Sequence, residues 1–144
     1  MTKHIFIVNP AAGKGSEAVR ISEAIRDACD ICQIEYEIHM TNSIGDAERF
    51  ARERAMSKSA EDEYRFYACG GDGTLSEVVS GIVGLNDELR EKICVGCMPI
   101  GTGNDFTKNF KQSEFFLDIT KQLLADPMTI DCFKVEGSTP ESIR

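Results

Sequence analysis

Apolar and polar positions along this chain follow two periods that alternate. His4 to Val8 is short, apolar and β-branched and stops at Asn9-Pro10, the pattern of a buried strand ending in a turn. Beyond the small-residue loop 9–15, Ala18, Ile21, Ile25, Ala28, Cys29 and Cys32 recur at intervals of mostly three and four. That spacing predicts an amphipathic helix, with Ser16 as its N-cap. Ile34, Tyr36 and Ile38 then alternate with charged or polar residues up to Met40, a second strand, and Ala47, Phe50, Ala51 and Ala55 predict a helix over 46–56. A polar connection at 57–63 leads to a third strand, Arg65 to Cys69, which runs straight into Gly70-Gly71. Leu75, Val78, Val79, Ile82 and Val83 mark a third helix, and Thr74 with Glu77 has the capping-box spacing at its start. A fourth strand at Ile93 to Met98, a helix over 113–124 and a last strand, Met128 to Val135, complete the series. Strictly alternating strands and helices predict an α/β domain, a three-layer Rossmann-like arrangement with a mostly parallel sheet flanked by helices.

Composition narrows the classes. The 144 residues have room for one domain with a real core, and 42% apolar with 28% charged residues is ordinary for a globular protein. No stretch approaches the roughly 20 apolar residues of a membrane span. The apolar run Ile5 to Val8 is too short for a signal peptide, so the expected location is the cytoplasm. A net charge of −8 repels phosphate backbones and anionic lipids, which argues against nucleic acid and leaves at most peripheral membrane contact. A phosphate-bearing ligand would have to rest on backbone N–H groups, one or two cations and a metal ion.

Six cysteines include two CxxC pairs, Cys29/Cys32 and Cys94/Cys97. A four-thiolate zinc site is one reading. Cys94 and Cys97 fall on a predicted strand, however, where side chains three apart point to opposite faces. Cys29 and Cys32 fall on the apolar stripe of a helix, so the thiols are read as reduced core residues.

Three loops leave the carboxyl ends of predicted strands, where open α/β sheets bind ligands. In Gly70-Gly71-Asp72-Gly73-Thr74 the glycines let backbone approach a ligand, and the helix that follows directs free N–H groups and its dipole into the same space. Thr74 caps that helix, contacts a phosphate, or does both. Asp72 suits a metal-bound water or a ribose hydroxyl, or else a helix cap. Gly101-Thr102-Gly103-Asn104-Asp105 lacks the third glycine of a dinucleotide fingerprint, Phe106 standing there, and reads alternatively as a strand-to-helix turn capped by Asn104 or Asp105. The loop 9–15 is not a Walker A motif, because Val8 occupies the leading glycine position.

Taken together, Asn9-Pro10-x-x-Gly13, Gly70-Gly71-Asp72-Gly73-Thr74 and Gly101-Thr102-Gly103-Asn104-Asp105-Phe106 resemble, in order and spacing, the diacylglycerol kinase catalytic-domain family. That family includes bacterial soluble lipid kinases, sphingosine kinases and ceramide kinases. The similarity covers Lys3 to Val135, including Leu75 to Ile82 and the segment Met128-Thr129-Ile130-Asp131. It implies an ATP-dependent, Mg²⁺-dependent transfer of phosphate to a lipid hydroxyl such as that of diacylglycerol. By motif position, Gly70, Gly71, Asp72, Gly73, Thr74, Leu75 and Ser76 would wrap the nucleotide phosphates. Thr102, with Gly103 and Asn104, would contact the nucleotide from the third loop; Thr41 would contact it after the second strand, and Asn9 with Gly13 would shape the site. Asp72 is the one motif acid placed to assist catalysis.

Members of the family are about twice this length, with a second, largely β domain that forms the lipid pocket and supplies metal-binding carboxylates. The expectation is therefore an ATP-binding domain at 1–135 and a tail or crossover at 136–144, binding nucleotide weakly and turning over little lipid alone. An uncovered domain interface would allow self-association as a homodimer. Two other readings stand beside this one: an NAD kinase-like or phosphofructokinase-like phosphotransferase, and a nucleotide-binding module without catalysis.

Overall fold

The computed structural model describes residues 1–132. Its elements run β1 (Thr2–Val8), α1 (Glu17–Cys32), β2 (Tyr36–Met40), α2 (Asp46–Met56), β3 (Glu63–Gly70), α3 (Asp72–Val83), α4 (Asp87–Arg90) and β4 (Ile93–Pro99). Two 3₁₀ turns, Thr107–Asn109 and Ser113–Leu117, precede α5 (Ile119–Leu124). The four strands form one sheet in the order β2-β1-β3-β4, every pair parallel.

Strand parity decides the two faces. Ile5 and Ile7 of β1, Tyr64, Phe66 and Ala68 of β3 and Cys97 of β4 pack with Ala47, Ala51 and Ala55 of α2 and Val78 and Ile82 of α3. Phe6, Val8, Tyr67, Cys69 and Met98 pack on the other side with Ala18, Ile21, Ile25 and Cys29 of α1 and Ile119 and Leu123 of α5. The fold is thus a Rossmann-like sandwich covered on both faces, which is why β1 and β3 read as nearly continuous apolar runs. Cys29 and Cys97 lie in different cores with the sheet between them.

Local chemistry accounts for several boundaries. The first helix ends on Gln33 in the left-handed conformation (φ 55°), with the Ile34 N–H closing onto the Cys29 carbonyl at 2.9 Å. This C-terminal closure takes Ile34 out of the ladder, so β2 starts at Tyr36 rather than at Ile34. Ser16 occupies the N-cap position of α1 but makes no side-chain cap bond; Glu17 accepts the Lys14 N–H instead, at 2.9 Å. The anticipated capping box is absent: α3 begins at Asp72 behind Gly71, leaving Thr74 buried inside the first turn.

Near the end of the described chain the expectation differs from the structure twice. The helix over 113–124 is divided at Asp118, whose extended backbone (φ −89°, ψ 98°) and side chain cap α5 through the Lys121 N–H at 3.1 Å. The strand expected at Met128 to Val135 does not form over Met128 to Cys132, and 133–135 lie outside the described residues. The free edge of β4 is instead covered by Gln122, whose Nε2 donates to the Cys97 carbonyl at 2.6 Å and to the Phe116 carbonyl at 2.7 Å. The short α4 was not legible in the apolar period; Asn86 sets it by accepting the Leu89 N–H at 2.9 Å.

Candidate functional site

From β1 the chain passes over one face to β2, and it then returns to the other side of β1 for β3. The sheet therefore reverses its winding between β1 and β3, and the crevice outside their carboxyl ends is where such sheets take ligands. The loop after β1 is shaped by Asn9. Its Oδ1 accepts the Ala11 N–H at 3.0 Å, while its own N–H donates to the Cys69 carbonyl at 2.9 Å. Gly13 turns with φ 61°, and a Cβ there would sit 2.7 Å from the Ile100 carbonyl oxygen, so the first and third glycine loops touch through backbone.

The loop after β3 enters α3 directly. No side chain caps α3 at its start, and its first closing bond is Leu75 N–H to the Gly71 carbonyl at 3.2 Å. The N–H groups of its first turn and the positive end of the helix dipole therefore face the crevice. A Cβ on Gly70 would lie 2.3 Å from Thr74 Oγ1, so the threonine hydroxyl occupies the space a side chain at 70 would need. Gly73 differs: nothing among the described residues lies within 4 Å of the Cβ it lacks, and its φ is not positive.

Asp72 makes a contact that no local pattern foretold. Its Oδ2 accepts the Asp105 N–H at 2.8 Å and its Oδ1 the Phe106 N–H at 3.2 Å. This carboxylate holds the loop after β4 against the glycine loop, where Gly71 and Gly101 meet so closely that a Cβ on Gly101 would stand 2.4 Å from the Gly71 Cα. Asn104 (φ 55°) donates through Nδ2 to the Gly101 carbonyl at 2.7 Å, and its buried Oδ1 has no partner among the described residues. The crevice beneath, of about 10 Å³, is lined by Gly70, Gly71, Asp72, Leu75, Cys97, Asn104 and their neighbours. Burial, with the Asp72 carboxylate close by, pushes the Cys97 thiol up to about 12, so it stays protonated.

The larger space is a cleft of about 290 Å³ on the other side of the glycine loop. It is walled by Asn9, Pro10 and Ala11 after β1, Thr41, Asn42, Ser43 and Ile44 after β2, Ala47 of α2, and Thr74 and Glu77 of α3. The structure thus brings Asn9, Thr41 and Thr74 to one cleft, and places Gly70, Gly71, Asp72, Leu75 and Asn104 at the crevice behind it. Leu75 is half-buried and packs into the first core, whereas Gly73, Ser76, Thr102 and Gly103 are exposed and, like Gly13, line neither space. Sequence reasoning missed Glu77 as a site residue because it was assigned to the capping box; its carboxylate accepts the Gly45 N–H instead. It also missed Ser43 and Ile44, which carry no motif signal.

The wall after β2 is stiffened from below. Asp46 accepts from His39 Nε2 at 2.9 Å and from the Asn42 N–H at 3.2 Å, and pairs with Arg49. These donors, His39 first, hold its carboxyl below the usual carboxylate range, and His39 stacks on Phe50 at 3.8 Å. Among the described residues no group of three or more His, Cys, Asp or Glu side chains is arranged to enclose a metal ion, and no helix is long and apolar enough to cross a membrane.

Residues 3–135 match the family described as the diacylglycerol kinase catalytic domain. A Bacillus subtilis protein named "Putative lipid kinase YtlR" is 32% identical over 123 residues, covering 84% of this chain and 38% of its own length. A Staphylococcus carnosus protein named "Putative lipid kinase" is 28% identical over 138 residues, covering 93% of this chain and 42% of its own. A diacylglycerol kinase from Bacillus anthracis superposes with a TM-score of 0.61 at 26% identity over 83% of this chain and 42% of that one. This chain spans about two fifths of the length of these relatives. On the match over 133 consecutive positions, the shared parallel sheet and the three loops at its carboxyl edge, the chain belongs to the diacylglycerol kinase catalytic-domain family.

Proposed function

We propose that residues 1–135 are the ATP-binding domain of a lipid kinase, which transfers the γ-phosphate of ATP to a lipid hydroxyl such as that of diacylglycerol. The observation that carries this reading is Gly73. Glycine in a helix is about 1 kcal/mol less favourable than alanine. Nothing around Gly73 would meet a Cβ, and its backbone does not require glycine. A glycine there, on the first turn of α3, fits close approach of a phosphate to the backbone.

The two spaces then divide the nucleotide. Among the described residues Glu77 is the one charged residue lining the larger cleft, which disfavours phosphates there. Pro10, Ala47 and the fully exposed Ile44 (99%) offer apolar surface for a base, with Asn9, Thr41 and Ser43 for polar groups. The phosphates would turn toward the first turn of α3, past Gly73. Magnesium enters as part of the Mg-ATP substrate, since an ion carried on phosphates needs only one or two protein carboxylates. Asp72 fits that part: each of its oxygens accepts one N–H and retains a second lone pair. In the reaction the lipid oxygen bonds to the γ-phosphorus as the bond to the ADP oxygen breaks and the hydroxyl proton is released. This chemistry depends on positioning and charge stabilisation, which backbone donors at a helix start supply.

The test is a calorimetric titration of Mg-ATP into the wild type and into Gly73→Val. Saturable binding that is lost in the variant, with an unchanged circular dichroism spectrum, supports the reading; equal affinities in the two would sink it. A phosphate-transfer assay with diacylglycerol vesicles, NAD and sugar phosphates then separates a lipid kinase from the other phosphotransferases.

A further inference from the structure

The cleft wall formed by residues 41–45 is bonded mainly to its neighbours in sequence: the Ser43 carbonyl accepts the Asp46 N–H at 3.2 Å and the Ser43 hydroxyl donates to Asn42 Oδ1 at 3.0 Å. Thr41 N–H continues the β1 ladder to the Val8 carbonyl at 2.9 Å, and Asn42 N–H rests on Asp46. Asn42, Ser43 and Ile44 are exposed, and Gly45, at φ 90°, ends the loop as the N-cap of α2. Glycine has no side chain with which to cap, so the first turn of α2 rests on the Ser43 and Gly45 carbonyls, which accept the Asp46 and Arg49 N–H groups at 3.2 and 3.0 Å. The N–H of Gly45 instead donates to the carboxylate of Glu77, which stands on α3 behind the cleft. A carboxylate there also meets the positive end of the α2 dipole. One turn further along α3, a Cβ on Gly81 would lie 2.5 Å from the Glu48 carbonyl and 3.2 Å from the Ala51 Cβ, so the two helices pack backbone to backbone. Gly81 therefore sets how close α2 and α3 come, and Glu77 pins the loop that opens α2.

We infer that Glu77 is a positioning residue of the nucleotide site, acting through Gly45 to fix the 41–45 wall against the first turns of α3. The inference rests on the nucleotide reading above. With the tie in place, Thr41 and Thr74 line one cleft; without it, the 41–45 loop keeps the bonds of Thr41, Asn42 and Ser43, whose carbonyl accepts the Asp46 N–H at 3.2 Å, but loses its tie to α3. A helix cap with no bearing on the site is the competing explanation, and it predicts lost stability with unchanged affinity. Without Glu77, α2 keeps other supports, among them the Arg49–Glu53 and Arg52–Glu48 pairs along its exposed side.

The experiment compares wild type, Glu77→Ala, Glu77→Met and Glu77→Gln by Mg-ATP calorimetry and by amide hydrogen exchange over residues 41–46. Methionine preserves bulk without an acceptor and serves where alanine disturbs folding. Glutamine keeps an oxygen for the Gly45 N–H. The expected result is a Kd raised about tenfold or more in the Ala or Met variant, faster exchange confined to 41–46, and recovery of most of the affinity in Gln. Affinity equal to wild type in the Met variant, or a Gln variant no better than Met, overturns the positioning role while leaving the nucleotide reading intact. A wild type that binds no Mg-ATP overturns the nucleotide reading itself, and the positioning role with it.

Discussion

The carboxylate of Asp72, at the first position of α3, accepts the backbone N–H of Asp105 from the loop after β4 at 2.8 Å. With the Phe106 N–H on its other oxygen, this side chain joins two glycine loops that are more than thirty residues apart in sequence. Asp72 is therefore a strut of the site before it is anything else.

Asp72→Ala removes both bonds, and hydrogen bonds to a charged group contribute about 1.5–3 kcal/mol. The expected outcome is faster amide exchange at Asp105 and Phe106, and Mg-ATP binding weakened at least tenfold. Asp72→Asn retains one acceptor oxygen and should protect one of the two amides while losing the charge. Wild-type exchange at both amides in the alanine variant would refute the strut.

The Gly71–Gly101 contact makes a steric prediction. Gly101→Ala places its Cβ against the Gly71 backbone, which has no flexible end to move aside. Overpacking of this kind costs about 1–3 kcal/mol. Gly15→Ala is the control: nothing is near its Cβ, and only the positive φ of 88° opposes it, worth about 1 kcal/mol. Denaturant titration should rank Gly101→Ala as the more damaging of the two.

Gly73→Ala should separate stability from function. With open space around the new methyl and better helix propensity, the thermal midpoint should rise, by up to about 1 kcal/mol in stability. Nucleotide affinity should fall in the same protein. A variant that is both more stable and equally tight in binding would show that Gly73 serves no ligand.

The folded chain should also respond to acid above the carboxylate range. His4 is buried, its Nδ1 2.9 Å from the Tyr67 hydroxyl, and burial with the nearby Arg65 charge lowers it from 6.5 to about 4. Between those values the unfolded chain binds a proton that the folded chain refuses, so stability falls as pH drops from 6.5 toward 4 and is whole above 6.5. The effect is at most about 3 kcal/mol. His4→Gln should flatten that stretch of a stability–pH curve measured by urea unfolding. The loss owed to Asp46, whose carboxyl is held low by His39, Arg49 and the Asn42 N–H, comes at lower pH and should remain.

The order of strands and helices was legible in the sequence because each buries a face set by local periodicity, 2 for a strand and 3.6 for a helix. The second helix falls on 46–56 as the apolar pattern required, and the three loops fall at strand ends because Asn9-Pro10 after β1 and glycines after β3 and β4 interrupt that pattern. The family was legible for the same reason: its motifs are contiguous. What the sequence did not contain was the partner of each polar group. The split at Asp118 came from a cap that competes with helix continuation, and the strand expected after Leu124 was not formed over 128–132, where Gln122 covers the edge of β4. Thr74 and Glu77 have the spacing of a capping box, yet one is buried against Gly70 and the other serves Gly45, 32 residues away. Asp72 reads in the sequence as a ligand or a cap, and its tie to Asp105 was not legible there. A side chain's periodic position decides whether it is buried, but its hydrogen-bond partner depends on which distant backbone the strand order β2-β1-β3-β4 brings within 3 Å, and only the tertiary structure decides that.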